Sequence, residues 1–78
     1  MLHHTPAEIL IEGHLQAIEA IRAAILATCQ TAPNGRDYPD MGAFDAAVQA
    51  HKARMAALDN VRRDLQKQAE RIACLQPA

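Results

Sequence analysis

The chain has few aromatic side chains and contains no serine, the nucleophile of many enzymes. Its 78 residues include one phenylalanine, one tyrosine and no tryptophan, and serine is absent. Because aromatic residues bury about 150–250 Å² each and dominate small cores, any core here must consist mainly of isoleucine, leucine and alanine. The absence of serine excludes a serine-based catalytic triad. We therefore expect no enzymatic activity and no cofactor.

The chain also lacks a large excess of either charge and any long apolar run. Eight basic and nine acidic residues give a net charge of −1, whereas nucleic-acid-binding domains usually carry a clear basic excess. No apolar run approaches the roughly 20 residues that span a bilayer, and the N-terminus lacks the basic and apolar segments of a signal peptide. These absences argue against nucleic acid and membrane partners and predict a cytoplasmic location.

Cysteine and histidine are too scattered for a disulfide or a metal site. Cys29 lies near the predicted turn and Cys74 near the chain end, so a helical hairpin would hold them tens of ångströms apart, whereas a disulfide needs Cα atoms within about 7 Å. Structural zinc needs four closely spaced ligands, and the pair His3 and His4 stands alone at the N-terminus. We expect reduced cysteines and no bound metal, with a bridge between two chains as the alternative for cysteine.

Two stretches with helical apolar spacing flank one break that is rich in turn residues. Thr5, Pro6 and Glu8 form a capping-box sequence with proline at the first helical position, and Asp40 is a second candidate cap. The spacing predicts one domain over residues 1–78, with helices at about 6–31 and 41–75 joined by a loop at about 32–40. The fold class is all-α, an antiparallel two-helix hairpin. The core rows are Ile11, His14, Ile18, Ile21 and Ile25, and Phe44, Val48, His51, Met55, Leu58, Leu65 and Ile72.

Unequal helix lengths predict self-association. A turn centred on the break places Pro6 level with about residue 67, so the last turns of the second helix would have no partner within the chain. The surplus apolar residues assigned to a dimer interface are Ile9, Leu26, Ala69, Ile72 and Leu75. We expect a homodimer with a four-helix arrangement, with a lone hairpin stabilised by another protein as the alternative. The same register predicts three neighbouring pairs across the helices: His14 with Asp59, His51 with Arg22, and Glu19 with Arg54.

The loop holds the only tyrosine of the chain, Tyr38, beside Arg36 and Asp37. It is longer than the roughly 2–8 residues of most helix–helix connections, and tyrosine and arginine often carry the binding energy at protein interfaces. One interpretation is that Arg36, Asp37 and Tyr38 bind a partner protein. The other is that Asn34 makes a turn, Tyr38 packs on the helix ends and Asp40 caps the second helix.

The second helix carries a basic run. Arg54, Arg62, Arg63, Lys67 and Arg71 could serve a nucleic-acid-binding accessory protein. The alternative is a solvated face with pairs along the helix, Asp59 with Arg63 and Lys67 with Glu70, and we favour it because acidic residues are interspersed. The two histidines on the core rows, His14 and His51, are expected to be partly buried and hydrogen-bonded.

The segment 34–39 reads Asn-Gly-Arg-Asp-Tyr-Pro and is followed by a spaced set of residues, Phe44, His51, Arg54, Leu58, Val61 and Arg62. This pattern, within residues 30–65, resembles small helical accessory proteins of Mu-like transposable bacteriophages. Some phage proteins of that size bind and inhibit host proteins, including quorum-sensing transcription activators and pilus-assembly ATPases. The resemblance implies a non-enzymatic inhibitor of a bacterial host protein and supplies no catalytic residue. A small helical chaperone or assembly subunit of a secretion system is a further alternative.

Overall fold

The computed structural model describes residues 5–77 as two helices joined by a short connection. Helix α1 spans Pro6–Cys29 and helix α2 spans Met41–Cys74, with a single 3₁₀ turn at Gly35–Asp37 between them. The molecule measures 61 × 23 × 12 Å. These elements confirm the predicted all-α hairpin, and α1 ends two residues before its predicted boundary. The N-terminal pair His3 and His4 lies outside the described residues.

Both helices begin at side-chain caps that the sequence predicts. Thr5 Oγ1 accepts a hydrogen bond from the Glu8 backbone N–H at 3.1 Å, and the Glu8 carboxylate accepts one from the Thr5 N–H at 3.4 Å. Asp40 Oδ1 accepts from the Ala43 N–H at 2.7 Å. Each cap satisfies backbone donors that have no partner within the helix, so the local sequence determines where both helices start.

The core is a thin seam between the two helices. Ile18, Ala69 and Ile72 are the buried apolar residues of the described chain, with exposed fractions of 6%, 7% and 8%. The other members of the two predicted rows are half-buried. The expectation that the last turns of α2 lack a partner within the chain is wrong, because Ala69 and Ile72 are already buried in the hairpin. They therefore have little surface left for the dimer interface to which the sequence assigned them.

The register of the helices differs from the predicted one. Ile18 shares a groove with Gln66 and Ala69, and Ile25 shares a second groove with Asp59 and Arg62. The expected pairing of His14 with Asp59 is wrong, because Arg22 and Ile25, eight and eleven residues further along α1, lie beside Asp59 instead.

The path of the connection explains this register. The Tyr38 ring packs on Phe44 in the first turn of α2, with ring centroids 6.0 Å apart. The connection therefore reaches the start of α2 instead of turning midway between the helices, and the first part of α2, up to about residue 55, extends beyond the end of α1. The expected pairs of His51 with Arg22 and of Glu19 with Arg54 are also wrong. Their actual neighbours are Asp59 and Arg62 for Arg22, and Gln66 and Glu70 for Glu19.

Candidate functional site

The connection between the helices is ordered by local hydrogen bonds. Asn34 Oδ1 accepts from the Arg36 N–H at 3.1 Å, and the Asn34 carbonyl accepts from the Asp37 N–H at 3.0 Å. The Tyr38 N–H donates to the Gly35 carbonyl at 3.2 Å. An asparagine side chain that accepts a hydrogen bond two residues ahead stabilises a turn. The segment that holds the predicted partner-binding residues is therefore a defined turn.

The three residues predicted to bind a partner have different environments. Tyr38 is half-buried, and its ring lies against Phe44 at an interplanar angle of 53°. Such tilted aromatic pairs stabilise by about 0.5–1.5 kcal/mol beyond their buried area. Arg36 and Asp37 are exposed. Tyr38 therefore fastens the connection to α2, as the second interpretation of the loop expects, and Arg36 and Asp37 are the side chains available to a partner.

Large apolar side chains remain exposed along both helices. Their exposed fractions run from 49% to 74%, and the set is Ile9, Leu10, Leu15, Leu26, Met41, Val61 and Leu75. Three of these, Ile9, Leu26 and Leu75, belong to the dimer interface that the sequence predicts. Ile9 and Leu26 point about 100° apart around α1 at 100° per residue. They therefore lie on different flanks of α1, near its two ends.

One broad side of the hairpin carries most of the charge near the seam, and we call it the charged face. Its residues line the two grooves: Leu15, Glu19, Arg22, Leu26, Asp59, Arg62, Gln66 and Glu70. Both signs are present, and Asp59 pairs with Arg62 at 3.0 Å and with Arg63 at 2.9 Å. A mixed surface of this kind offers no concentrated charge for a polyanion.

The basic run of α2 is partly engaged within the helix. The predicted pair of Asp59 with Arg63 is confirmed, and Arg62 also donates to Gln66 at 3.4 Å. The carboxylate of Glu70, expected near Lys67, accepts from the Gln66 amide at 3.4 Å. These contacts support the interpretation of a solvated face on which side chains three or four residues apart form ion pairs and hydrogen bonds.

The two histidines on the core rows differ in their hydrogen bonds. His14 Nδ1 lies 2.9 Å from the Leu10 carbonyl oxygen, which confirms a partly buried, hydrogen-bonded side chain. His51 is half-buried, and its buried Nδ1 has no hydrogen-bond partner within residues 5–77. The expectation of a hydrogen-bonded His51 is wrong for this atom. The part of the chain that the structure describes holds no group of three or more potential metal ligands.

We expect His51→Leu to raise the free energy of unfolding by about 1 kcal/mol, because it removes a buried polar atom without a partner and keeps an apolar side chain at the seam. Chemical denaturation followed by circular dichroism measures the change. The matched control is His14→Leu, which breaks the bond to Leu10 and should not stabilise. A destabilised His51→Leu chain would contradict the prediction and indicate that Nδ1 bonds to something outside the hairpin.

Neither described helix is long and apolar enough to cross a bilayer. Comparison of the chain with models of protein families, with curated proteins and with solved structures finds no match. The case for a function therefore depends on the surfaces of the hairpin itself.

Proposed function

We propose that the chain is a non-enzymatic protein-binding hairpin that contacts its partner with the connection between its helices. One observation carries the proposal: the turn at residues 34–38 is ordered by its own hydrogen bonds while Arg36 and Asp37 are exposed on it. A loop that is already ordered loses less conformational entropy on binding than a flexible one. Arginine is enriched among the residues that dominate interface energetics.

The partner class that we propose is a bacterial host protein, which the chain inhibits in the cytoplasm of that cell. The support is the resemblance of residues 30–65 to accessory proteins of Mu-like phages, because that segment includes the ordered turn. A quorum-sensing transcription activator and a pilus-assembly ATPase are the candidate targets. An inhibitor of this kind needs no catalytic group, because it acts by covering a surface of its target. The exposed side chains of Arg36 and Asp37 are the groups that would contact that surface.

We also propose that two copies associate into a four-helix arrangement. The support is the thin core, since only three apolar residues of the described chain are buried and no described side chain falls below 2% exposure. A chain of this size usually obtains only about 3–5 kcal/mol from its own core and gains stability from oligomerisation, disulfides or metal. Cys29 and Cys74 are free, so no disulfide within the chain adds to this core, and association of two copies would add to it.

The test of partner binding is affinity capture from a bacterial lysate, followed by measured affinity for the captured protein. We expect Arg36→Glu to weaken binding about tenfold or more, because it reverses the charge of a central anchor. The matched control is Lys67→Glu, the same charge reversal at an exposed position of α2, which should bind as the wild type does. Equal binding by Arg36→Glu, at unchanged helicity, would show that the turn is only a connection.

A further inference from the structure

The two asparagines of the chain are both exposed, but they stand in different backbone settings. Asn34 precedes Gly35 in the connection, and Asn60 precedes Val61 inside α2. The Val61 N–H donates to the carbonyl four residues earlier, as in any α-helix. Within residues 5–77, the Gly35 N–H donates no hydrogen bond. Asn34 is therefore the asparagine that is followed by a backbone nitrogen without a hydrogen bond.

The side-chain amide of Asn34 is held against this backbone. Its Oδ1 accepts a hydrogen bond from the Arg36 N–H at 3.1 Å, which closes a ring that runs from the Asn34 side chain through the Gly35 nitrogen. The Asn34 Cγ and the Gly35 nitrogen therefore belong to one small turn. The Arg36 donor also polarises the Cγ carbonyl, whose oxygen gains negative charge when a nucleophile attacks that carbon.

No packed side chain prevents these two atoms from meeting. Asn34 and Gly35 are exposed, and a Cβ built on Gly35 would have no neighbour within 4 Å. A bond between Cγ and the nitrogen requires rotation about the Cα–C bond of Asn34 away from its ψ of 132°. The hydrogen bonds that Arg36 and Asp37 donate to Asn34 resist this rotation. Because both are exposed, water replaces them at little cost.

We propose that Asn34 is a site of deamidation, through a cyclic imide formed with Gly35. The Gly35 nitrogen loses its proton and attacks the Asn34 Cγ, and the bond from Cγ to Nδ2 breaks, so that ammonia leaves with that proton. Water then opens either of the two C–N bonds of the imide. The products are aspartate and isoaspartate in place of Asn34, and water is the co-reactant.

Both products alter the turn. Aspartate keeps an acceptor for the Arg36 N–H and adds one negative charge to the net charge of −1. Isoaspartate routes the main chain through the former side chain, so the carbonyl that accepts from the Asp37 N–H at 3.0 Å becomes part of a free carboxylate. The reaction does not depend on a partner. Its effect on partner binding rests on the proposed function, because Arg36 lies on this turn.

The experiment uses Asn60 as the control within the same molecule. The full chain is incubated at neutral pH and digested at intervals, and mass spectrometry measures the mass gain that exchange of an amide for a carboxylate produces. Chromatography separates aspartate from isoaspartate. We expect both products at Asn34 and unchanged Asn60. The rate at Asn34 should rise with pH, because the Gly35 N–H must lose its proton before it attacks.

The matched variant is Gly35→Ala. Gly35 has no positive φ and has open space at its Cβ, so alanine fits the turn, and the circular dichroism spectrum should not change. The added methyl group restricts the backbone beside the nitrogen. Conversion at Asn34 should therefore slow about fivefold or more.

The absence of conversion at Asn34 in the folded chain overturns the proposal. Conversion of the same chain in urea would then show that the ordered turn protects Asn34. Equal rates at Asn34 and Asn60, or in the wild type and Gly35→Ala, also overturn it, because the Gly35 nitrogen would not be the nucleophile. None of these measurements involves a partner, so their failure leaves the proposed function to its own test with Arg36→Glu.

Discussion

Replacing Ile18 by alanine lowers the free energy of unfolding by about 2–5 kcal/mol, the usual cost of truncating a buried isoleucine. Ile18 is the most deeply buried residue of the seam, with 6% of its surface exposed. A chain of this length usually has a core contribution of about 3–5 kcal/mol, so this single substitution removes most of it. We expect Ile18→Ala to show a largely unfolded spectrum by circular dichroism.

The control for Ile18→Ala is Leu26→Ala, which removes an exposed apolar side chain from the same helix. Leu26 is 71% exposed, so its truncation should change the free energy of unfolding by no more than about 0.5 kcal/mol. Thermal and urea unfolding at several protein concentrations measure both variants. Similar losses for the two would contradict the structure and would return Leu26 to an interface between chains.

Ending the chain at Gln68 is the second change with a large expected effect. It deletes Ala69 and Ile72, two of the three buried apolar residues of the described chain, and exposes the part of α1 against which they pack. We expect loss of cooperative unfolding and of much of the helical signal, because most helical stability in proteins comes from the packing of an apolar face, and this truncation removes two of the three buried side chains of that face. Circular dichroism and amide hydrogen exchange detect this directly.

A chain ending at Leu75 is the control for this truncation. It keeps the buried pair and the whole of α2, which ends at Cys74, so it should unfold like the full chain. The comparison also decides between the two registers. If the last turns of α2 had no partner within the chain, as the sequence suggested, ending at Gln68 would be nearly as harmless as ending at Leu75.

The helix limits and the core rows are local properties, and the sequence predicts them well. Thr5 and Asp40 cap the helices at the predicted positions, because a side-chain acceptor three residues before a backbone donor needs no tertiary contact. The apolar rows are predictable for a similar reason, since a period of 3.6 residues places them on one side of each helix. The all-α hairpin follows from these two signals.

The axial register is not a local property. Residues seven apart lie on nearly the same side of a helix, so α1 can slide along α2 by two or three turns while the same rows still face each other. The contact of Tyr38 with Phe44 selects one of these positions, because it fastens the connection to the first turn of α2. Tyr38 could be recognised from the sequence as the only tyrosine, whereas its packing partner could not.

The sequence by itself determined that this protein is two helices with one apolar row each, the positions of their caps and a turn around Asn34. The tertiary structure decided which residues of α1 and α2 lie level, that Ala69 and Ile72 belong to the core, and that the charge gathers on one broad side. The physical reason is the range of the interactions. Caps and periodicity act within a few residues, whereas register and faces depend on contacts between residues far apart in the chain.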